Sequence, residues 1–243
     1  MLSRLDKYLL AAFLFWLGAG VIILPLGVDE ATVMGWSNLP PWLRHFMALC
    51  LEWGGVIQLL LAASITHLMT TQQWGSGPAR RWAVATMIFG GVLEAFGTLT
   101  GVPFGQYYYT ENFGPKIAGI LPVTIPLAWF VVATNFLLLV RRHAPYVNAT
   151  QEAALVGTGA MLYDWLMEPF AVQVERYWYW TSGGQEIDWI PWQNYLTWWV
   201  AMFLIARLFA PTNELRFHRE WRPHIVLGGM VLIFIVGRIA NGV

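Results

Sequence analysis

The chain has 243 residues, of which 57% are apolar, 16% aromatic and only 12% charged, and its 14 basic and 14 acidic residues cancel. Soluble domains carry roughly 25% charged residues, so this composition excludes an ordinary soluble domain, and the balanced charge excludes a surface built for nucleic acid. A single cysteine, Cys50, excludes a disulfide framework and a thiolate zinc cluster.

A membrane-spanning helix needs about 20 mostly apolar residues. Seven stretches qualify: 8–28, 42–69, 82–100, 117–140, 153–170, 192–209 and 225–242. Arg4 and Lys7 precede the first, but no small-residue cleavage site follows it, so it reads as a retained span. The second carries Glu52 and the third Glu94, which lies on a stripe with Gly90, Gly97 and Gly101 at three- and four-residue steps. Such a stripe lets a neighbour approach closely and points Glu94 into the bundle. The fourth contains Pro122 and Pro126, each of which removes a backbone donor. The fifth carries Asp164 and Glu168, four residues apart and so on one helical face. The loop before the fourth span is rich in Gly and Pro. The loop before the sixth holds Tyr177, Trp178, Tyr179, Trp180, Trp189 and Trp192, which read mainly as an interfacial aromatic belt.

With seven spans, ten basic residues fall on one side (Arg4, Lys7, Arg80, Arg81, Arg141, Arg142, Arg207, Arg216, Arg219 and Arg222) and four on the other (Arg44, Lys116, Arg176 and Arg238). This bias predicts a cytoplasmic N-terminus. No repeat, low-complexity run or second domain interrupts the chain. The expected fold is all-α, a polytopic helical membrane bundle of about seven spans forming one domain over residues 1–243.

An ionised carboxylate at a helix centre costs about 2.5–3.5 kcal/mol even on a lenient insertion scale. No Lys or Arg lies deep in any of the spans, yet Glu52, Glu94, Asp164 and Glu168 all fall in the same half of the bundle. A single buried Glu such as Glu52 is as often a helix-to-helix hydrogen bond, and Glu168 lies near enough to the interface for plain solvation. Four acids at one depth from three helices predict a functional site. Such an oxygen set also suits a hard divalent cation, but no metal is assigned. The only lysines are Lys7 and Lys116, so a retinal Schiff base in the last span is excluded. The five histidines are isolated, against membrane di-iron chemistry, and no Gly-rich nucleotide loop is present.

The string Pro103-Phe104-Gly105-x-Tyr107-x-Tyr109-Thr110, followed by Gly114-Pro115-Lys116 and Pro122-x-x-Ile125-Pro126-x-x-Trp129-Phe130, resembles the carotenoid biosynthesis membrane-protein family. That family includes hydratases of the carotenoid 1,2-hydratase and bisanhydrobacterioruberin hydratase type. Asp164-x-x-x-Glu168-Pro169 and Pro191-x-x-Asn194-Tyr195-x-x-Trp198 extend the resemblance, which covers about residues 90–209. Many family members have Asp where this chain has Glu168.

The resemblance implies carotenoid biosynthesis: addition of water to a terminal C=C bond of an acyclic carotenoid, giving a tertiary alcohol. Such a reaction needs no redox cofactor. It needs a carboxylic acid to protonate carbon, tolerance of a tertiary cation and one placed water. Asp164 is expected to donate the proton with Glu94 as base or partner, or in the reverse order, and Glu168 completes the acid set. Tyr107, Tyr109, Trp129 and Trp165 are expected aromatic neighbours of the cation, Asn194 an orienter of water, and Glu52 a further contact to substrate. The expected partners are a carotenoid entering from the lipid bilayer, membrane lipids and other carotenoid enzymes, with no nucleic acid. The expected location is a bacterial or archaeal cytoplasmic membrane. Cyclisation or isomerisation of the same end group uses the same acid. A proton-coupled transporter and a non-catalytic carotenoid-binding protein are the alternatives of a different class.

Overall fold

The computed structural model describes residues 3–212 and 220–243. Arg216 and Arg219, used above in the charge count, lie outside the described residues. Helix α1 (Arg4–Ile23) opens on a capping box in which the Ser3 side chain accepts from the Asp6 amide and Asp6 accepts from the Ser3 amide. A 3-10 turn, Leu24–Leu26, extends it. Short helices α2 (Glu30–Met34) and α3 (Pro41–Glu52) then lead into α4 (Gly54–Trp74) and α5 (Ser76–Thr100).

The expected single span 42–69 is therefore two helices broken at Trp53. The Gly54–Gly55 pair is a poor helix interior, and both glycines serve tertiary contacts. The Gly54 carbonyl accepts from Trp16 Nε1 at 2.9 Å. A Cβ on Gly55 would sit 1.9 Å from the Tyr177 hydroxyl.

After α5 the chain forms strand β1 (Gln106–Tyr109) and a small ladder of β2 (Lys116–Ile117) with β3 (Leu121–Pro122). Helix α6 (Thr124–His143) follows, so the fourth expected span starts at Thr124 rather than residue 117. Pro122 belongs to the ladder, and Pro126 lies in the first turn of α6, where its missing N–H has no helical partner to lose. Helix α7 (Ala149–Pro169) ends in a single π turn, Phe170–Val174. Strands β4 (Trp178–Ser182) and β5 (Gln185–Glu186) precede α8 (Trp192–Phe209) and α9 (Arg222–Asn241).

Among the described residues, five helices are long and apolar enough to cross a membrane: Arg4–Leu26, Gly54–Trp74, Ser76–Thr100, Thr124–His143 and Arg222–Asn241. The protein is thus a helical membrane protein. The remaining expected stretches, 153–170 and 192–209, coincide with α7, which carries Asp164 and Glu168, and with α8, which carries Asn194. The helical reading omitted one element. Strands β1, β4 and β5 form an antiparallel sheet across one end of the bundle, pairing Tyr107 with Trp180 and Tyr109 with Trp178.

The other end is closed by a buried ionic cluster. Arg222 donates to Asp6 at 2.6 Å, to both Glu220 oxygens at 2.7 and 2.6 Å, and to Gln72 at 2.9 Å. Gln72 also donates to Asp6, and Arg142 donates to the Glu220 carbonyl at 2.9 Å. One guanidinium therefore ties together α1, α4 and α9. Removing a partner from a buried pair strands the opposite charges, at about 3 kcal/mol or more. Arg222→Leu is expected to lower the melting temperature of the detergent-solubilised protein measurably, whereas Arg4→Leu, at an exposed position, leaves it nearly unchanged.

Candidate functional site

The glycine stripe of α5 makes room for side chains rather than for another helix backbone. A Cβ on Gly90 would lie 2.2 Å from Trp129 Cγ, and one on Gly97 would lie 2.5 Å from Phe104 and 3.0 Å from the Tyr107 hydroxyl. These neighbours surround Glu94 on the same face. Its Oε2 accepts from the Tyr107 hydroxyl at 2.6 Å and the Tyr109 hydroxyl at 2.9 Å, and its Oε1 accepts from Trp129 Nε1 at 3.0 Å. Three donors match the acceptor-only carboxylate form. Burial, followed by the adjacent Glu94 charge, pushes both phenols far above their usual range, so Tyr107 and Tyr109 stay protonated and donate.

The second half of the site comes from α7 and α8. Asp164 and Glu168 are buried one turn apart. Asn194, in the first turn of α8, reaches both: its Nδ2 donates to Asp164 Oδ2 at 2.7 Å and to Glu168 Oε1 at 3.0 Å. Glu168 Oε2 accepts from Trp180 Nε1 at 3.0 Å and Trp178 Nε1 at 3.3 Å. Asp164 Oδ1 is buried and has no hydrogen-bond partner among the described residues. It is the one carboxyl oxygen of the three acids left open.

The sheet across this end supplies most of the donors. Side chains alternate across a strand, so Tyr107, Tyr109, Trp178 and Trp180 face inward while Tyr108 and Tyr179 face out, with Tyr108 bonded to Glu186. The π turn after Pro169 shifts the chain by one residue before it enters β4, where both indoles meet Glu168. Trp129 stacks on Trp198 with centroids 4.6 Å apart and planes 14° from parallel.

Glu94, Tyr107, Tyr109, Trp129, Asp164, Glu168 and Asn194 line one cavity of about 610 Å³, within the range of about 300–1,000 Å³ common for small-molecule sites. Mostly apolar residues of α1, α3, α4, α6, α7 and α9 line much of the rest, with Gln58 of α4 among them. The cavity reaches the surface beside Phe15, Leu26 and Phe46, three exposed apolar side chains.

Two expected site residues lie elsewhere. Glu52 ends α3 as an exposed residue and does not line the cavity, because the break at Trp53 takes it out of the bundle. Trp165 is 57% exposed, because its position on α7 faces away from the Asp164–Glu168 side. Conversely, Trp178 and Trp180 are not belt residues but buried donors to Glu168, and Trp198 is a wall of the cavity. Aromatics run consecutively within 106–109 and 178–182, so the sequence shows no period-two pattern there, and only pairing in the sheet turns alternate rings inward. Among the described residues no group of three or more His, Cys, Asp or Glu side chains is arranged to hold a metal ion. The acids are bonded instead to phenol, indole and amide hydrogens.

A model of the family described as carotenoid biosynthesis protein matches residues 54–243. Bisanhydrobacterioruberin hydratase of Haloarcula japonica is 30% identical over 128 residues, 52% of this chain and 43% of that protein. This chain thus spans less than half the length of that relative in the matched region. No solved structure matches.

Because Trp129 occupies the space of a side chain at position 90, Gly90→Ala forces the indole off Glu94. An overpacked interior costs about 1–3 kcal/mol. The variant is expected to melt measurably lower in detergent, whereas Gly18→Ala, with nothing within 4 Å of the added carbon, is expected to be neutral.

Proposed function

The chain belongs to the carotenoid biosynthesis protein family, and from that premise we propose that it is a hydratase, adding water to a terminal C=C bond of an acyclic carotenoid. The observation that carries this reading is the open oxygen of Asp164. Protonating an alkene carbon demands an acid whose proton is not tied up by a stronger acceptor. With the proton on Oδ1, Asp164 still accepts from Asn194 through Oδ2, so the neutral acid fits the hydrogen bonds around it. Asp164 is the proton donor in this proposal.

Glu94 and Glu168, each held by three donors, act as fixed negative charges facing the tertiary cation rather than as proton carriers. Preoriented charge of this kind in a dry site is the strongest general source of transition-state stabilisation. The stacked Trp129 and Trp198 present aromatic faces to the cation. Asn194 fixes Asp164 and Glu168 relative to one another. Attack of water forms the C–O bond, and the surplus proton returns to the Asp164 carboxylate. Water is the only reactant added, and nothing is oxidised.

The substrate enters from the lipid in this reading, because the cavity reaches the surface among exposed apolar side chains of α1 and α3. The fold completes seven crossings when α7 and α8 span alongside the five more apolar helices. The N-terminus is then cytoplasmic, in the cytoplasmic membrane of a bacterium or archaeon.

Expression in a host that accumulates lycopene, with pigments analysed by chromatography and mass spectrometry, tests the proposal. A product heavier by one water with the polyene absorption retained is the expected result. An isomer with a shifted spectrum overturns hydration in favour of cyclisation or isomerisation. Asp164→Asn is expected to reduce product by about 100-fold or more while protein level and membrane insertion stay normal. Glu94→Gln is expected to reduce it by about 100-fold as well, through lost electrostatic stabilisation.

A further inference from the structure

A reaction that adds water inside an apolar cavity must hold one water at the reacting carbon. A buried water requires about 2–4 polar partners, and most polar atoms on this wall are taken. Glu94 and Glu168 each accept three hydrogen bonds, Asn194 donates to two carboxyls, and Tyr107 and Tyr109 donate to Glu94. Among the described residues lining the cavity, buried side-chain nitrogen and oxygen atoms without a hydrogen-bond partner belong to two residues. One is Asp164, through Oδ1. The other is Gln58, whose Oε1 and Nε2 are both buried without a partner.

Gln58 is only 8% exposed. Leaving a buried amide unbonded costs about 1–3 kcal/mol, so an unpartnered glutamine on a cavity wall points to a polar occupant. Its position fits the reacting end of the cavity. Helices α4 and α6 run side by side in the same direction: the space beside Gly114 is bounded by Val56 and Thr124 alike at 3.7 Å, and Asn135 donates to Thr66 at 2.9 Å. Eight residues back from Thr66 is Gln58, and eight back from Asn135 is Leu127. Gln58 therefore stands near the level of Trp129, whose indole bonds to Glu94. It also lies three residues after Gly55, on the helix face against which the Tyr177 hydroxyl packs.

An amide with donor and acceptor both free matches a small molecule that also donates and accepts. We infer that Gln58 holds the water that adds to the carotenoid cation. This inference rests on the hydratase reading and gives the nucleophile a place in it. Asp164 Oδ1 transfers its proton to the terminal alkene carbon, forming C–H and leaving a cation on the adjacent tertiary carbon. The water on Gln58 donates to Oε1 and directs its lone pair at that cation. The C–O bond forms, and the oxonium proton passes to the Asp164 carboxylate. The same amide then accommodates the hydroxyl of the product.

The test separates protonation from water capture. Isolated membranes carrying the full chain are supplied with lycopene in D2O, and recovered pigments are analysed by mass spectrometry for water adduct and for deuterium in unhydrated carotenoid. In Gln58→Leu the cation still forms but, without a held water, returns to alkene by losing a proton. Adduct is expected to fall by about tenfold or more, the value of a lost hydrogen bond, while deuterium in unhydrated carotenoid rises. Gln58→Asn, which keeps the amide but withdraws it, is expected to show the same split more weakly and serves if the Leu variant fails to insert. Unchanged adduct in the variants overturns the inference and leaves the hydratase reading standing. Adduct and deuterium falling together in both variants overturns it too, because a merely structural Gln58 would have that effect. Wild-type membranes that give neither adduct nor deuterium overturn the hydratase reading and this inference with it.

Discussion

Burying three carboxyl groups in an apolar bundle is the constraint on which the rest of this structure depends. A carboxylate removed from water must be given hydrogen-bond donors or it destabilises the fold. Here the donors are aromatic: two phenols and an indole for Glu94, two indoles and an amide for Glu168. Phenol and indole each combine a single polar hydrogen with a large apolar body. They satisfy the acids while lining the cavity with rings. An arginine in their place would neutralise the carboxylates directly.

Much of the architecture follows from delivering those donors. All six come from outside the helices that carry Glu94 and Glu168, and four of these lie on the inward face of one short sheet. The sheet needs α5 to stop at Gly101, in the left-handed region at φ +76°, and needs α7 to pass through a π turn into β4. The glycines of α5 leave the volume that Trp129 and Tyr107 fill.

The opposite end is built on a different principle. There a buried arginine is matched by Asp6 and Glu220 with Gln72 beside them, so charges compensate directly. This cluster joins helices distant in sequence, and none of its residues lines the cavity. Asp164 and Gln58 differ from both arrangements because each retains a buried polar atom without a hydrogen-bond partner. Both residues line the cavity.

Composition together with apolar runs of helix-spanning length determined that the protein is a helical membrane protein, because such a run satisfies its own backbone in lipid as a helix. Helical spacing determined that Asp164 and Glu168 share a face and that Glu94 lies on a close-packed stripe, since those relations are local. The tertiary structure alone decided which acids meet. Glu52 was indistinguishable from the others in a hydropathy profile, yet a break at Trp53, stabilised by Trp16 and Tyr177 from remote parts of the chain, removes it from the bundle. Trp178 and Trp180 resembled interfacial aromatics until pairing with β1 turned them inward, and Gln58 carried no signal at all. Strand pairing between segments some 70 residues apart and the absence of a hydrogen-bond partner are properties of the assembled fold, because both depend on what the rest of the chain brings alongside.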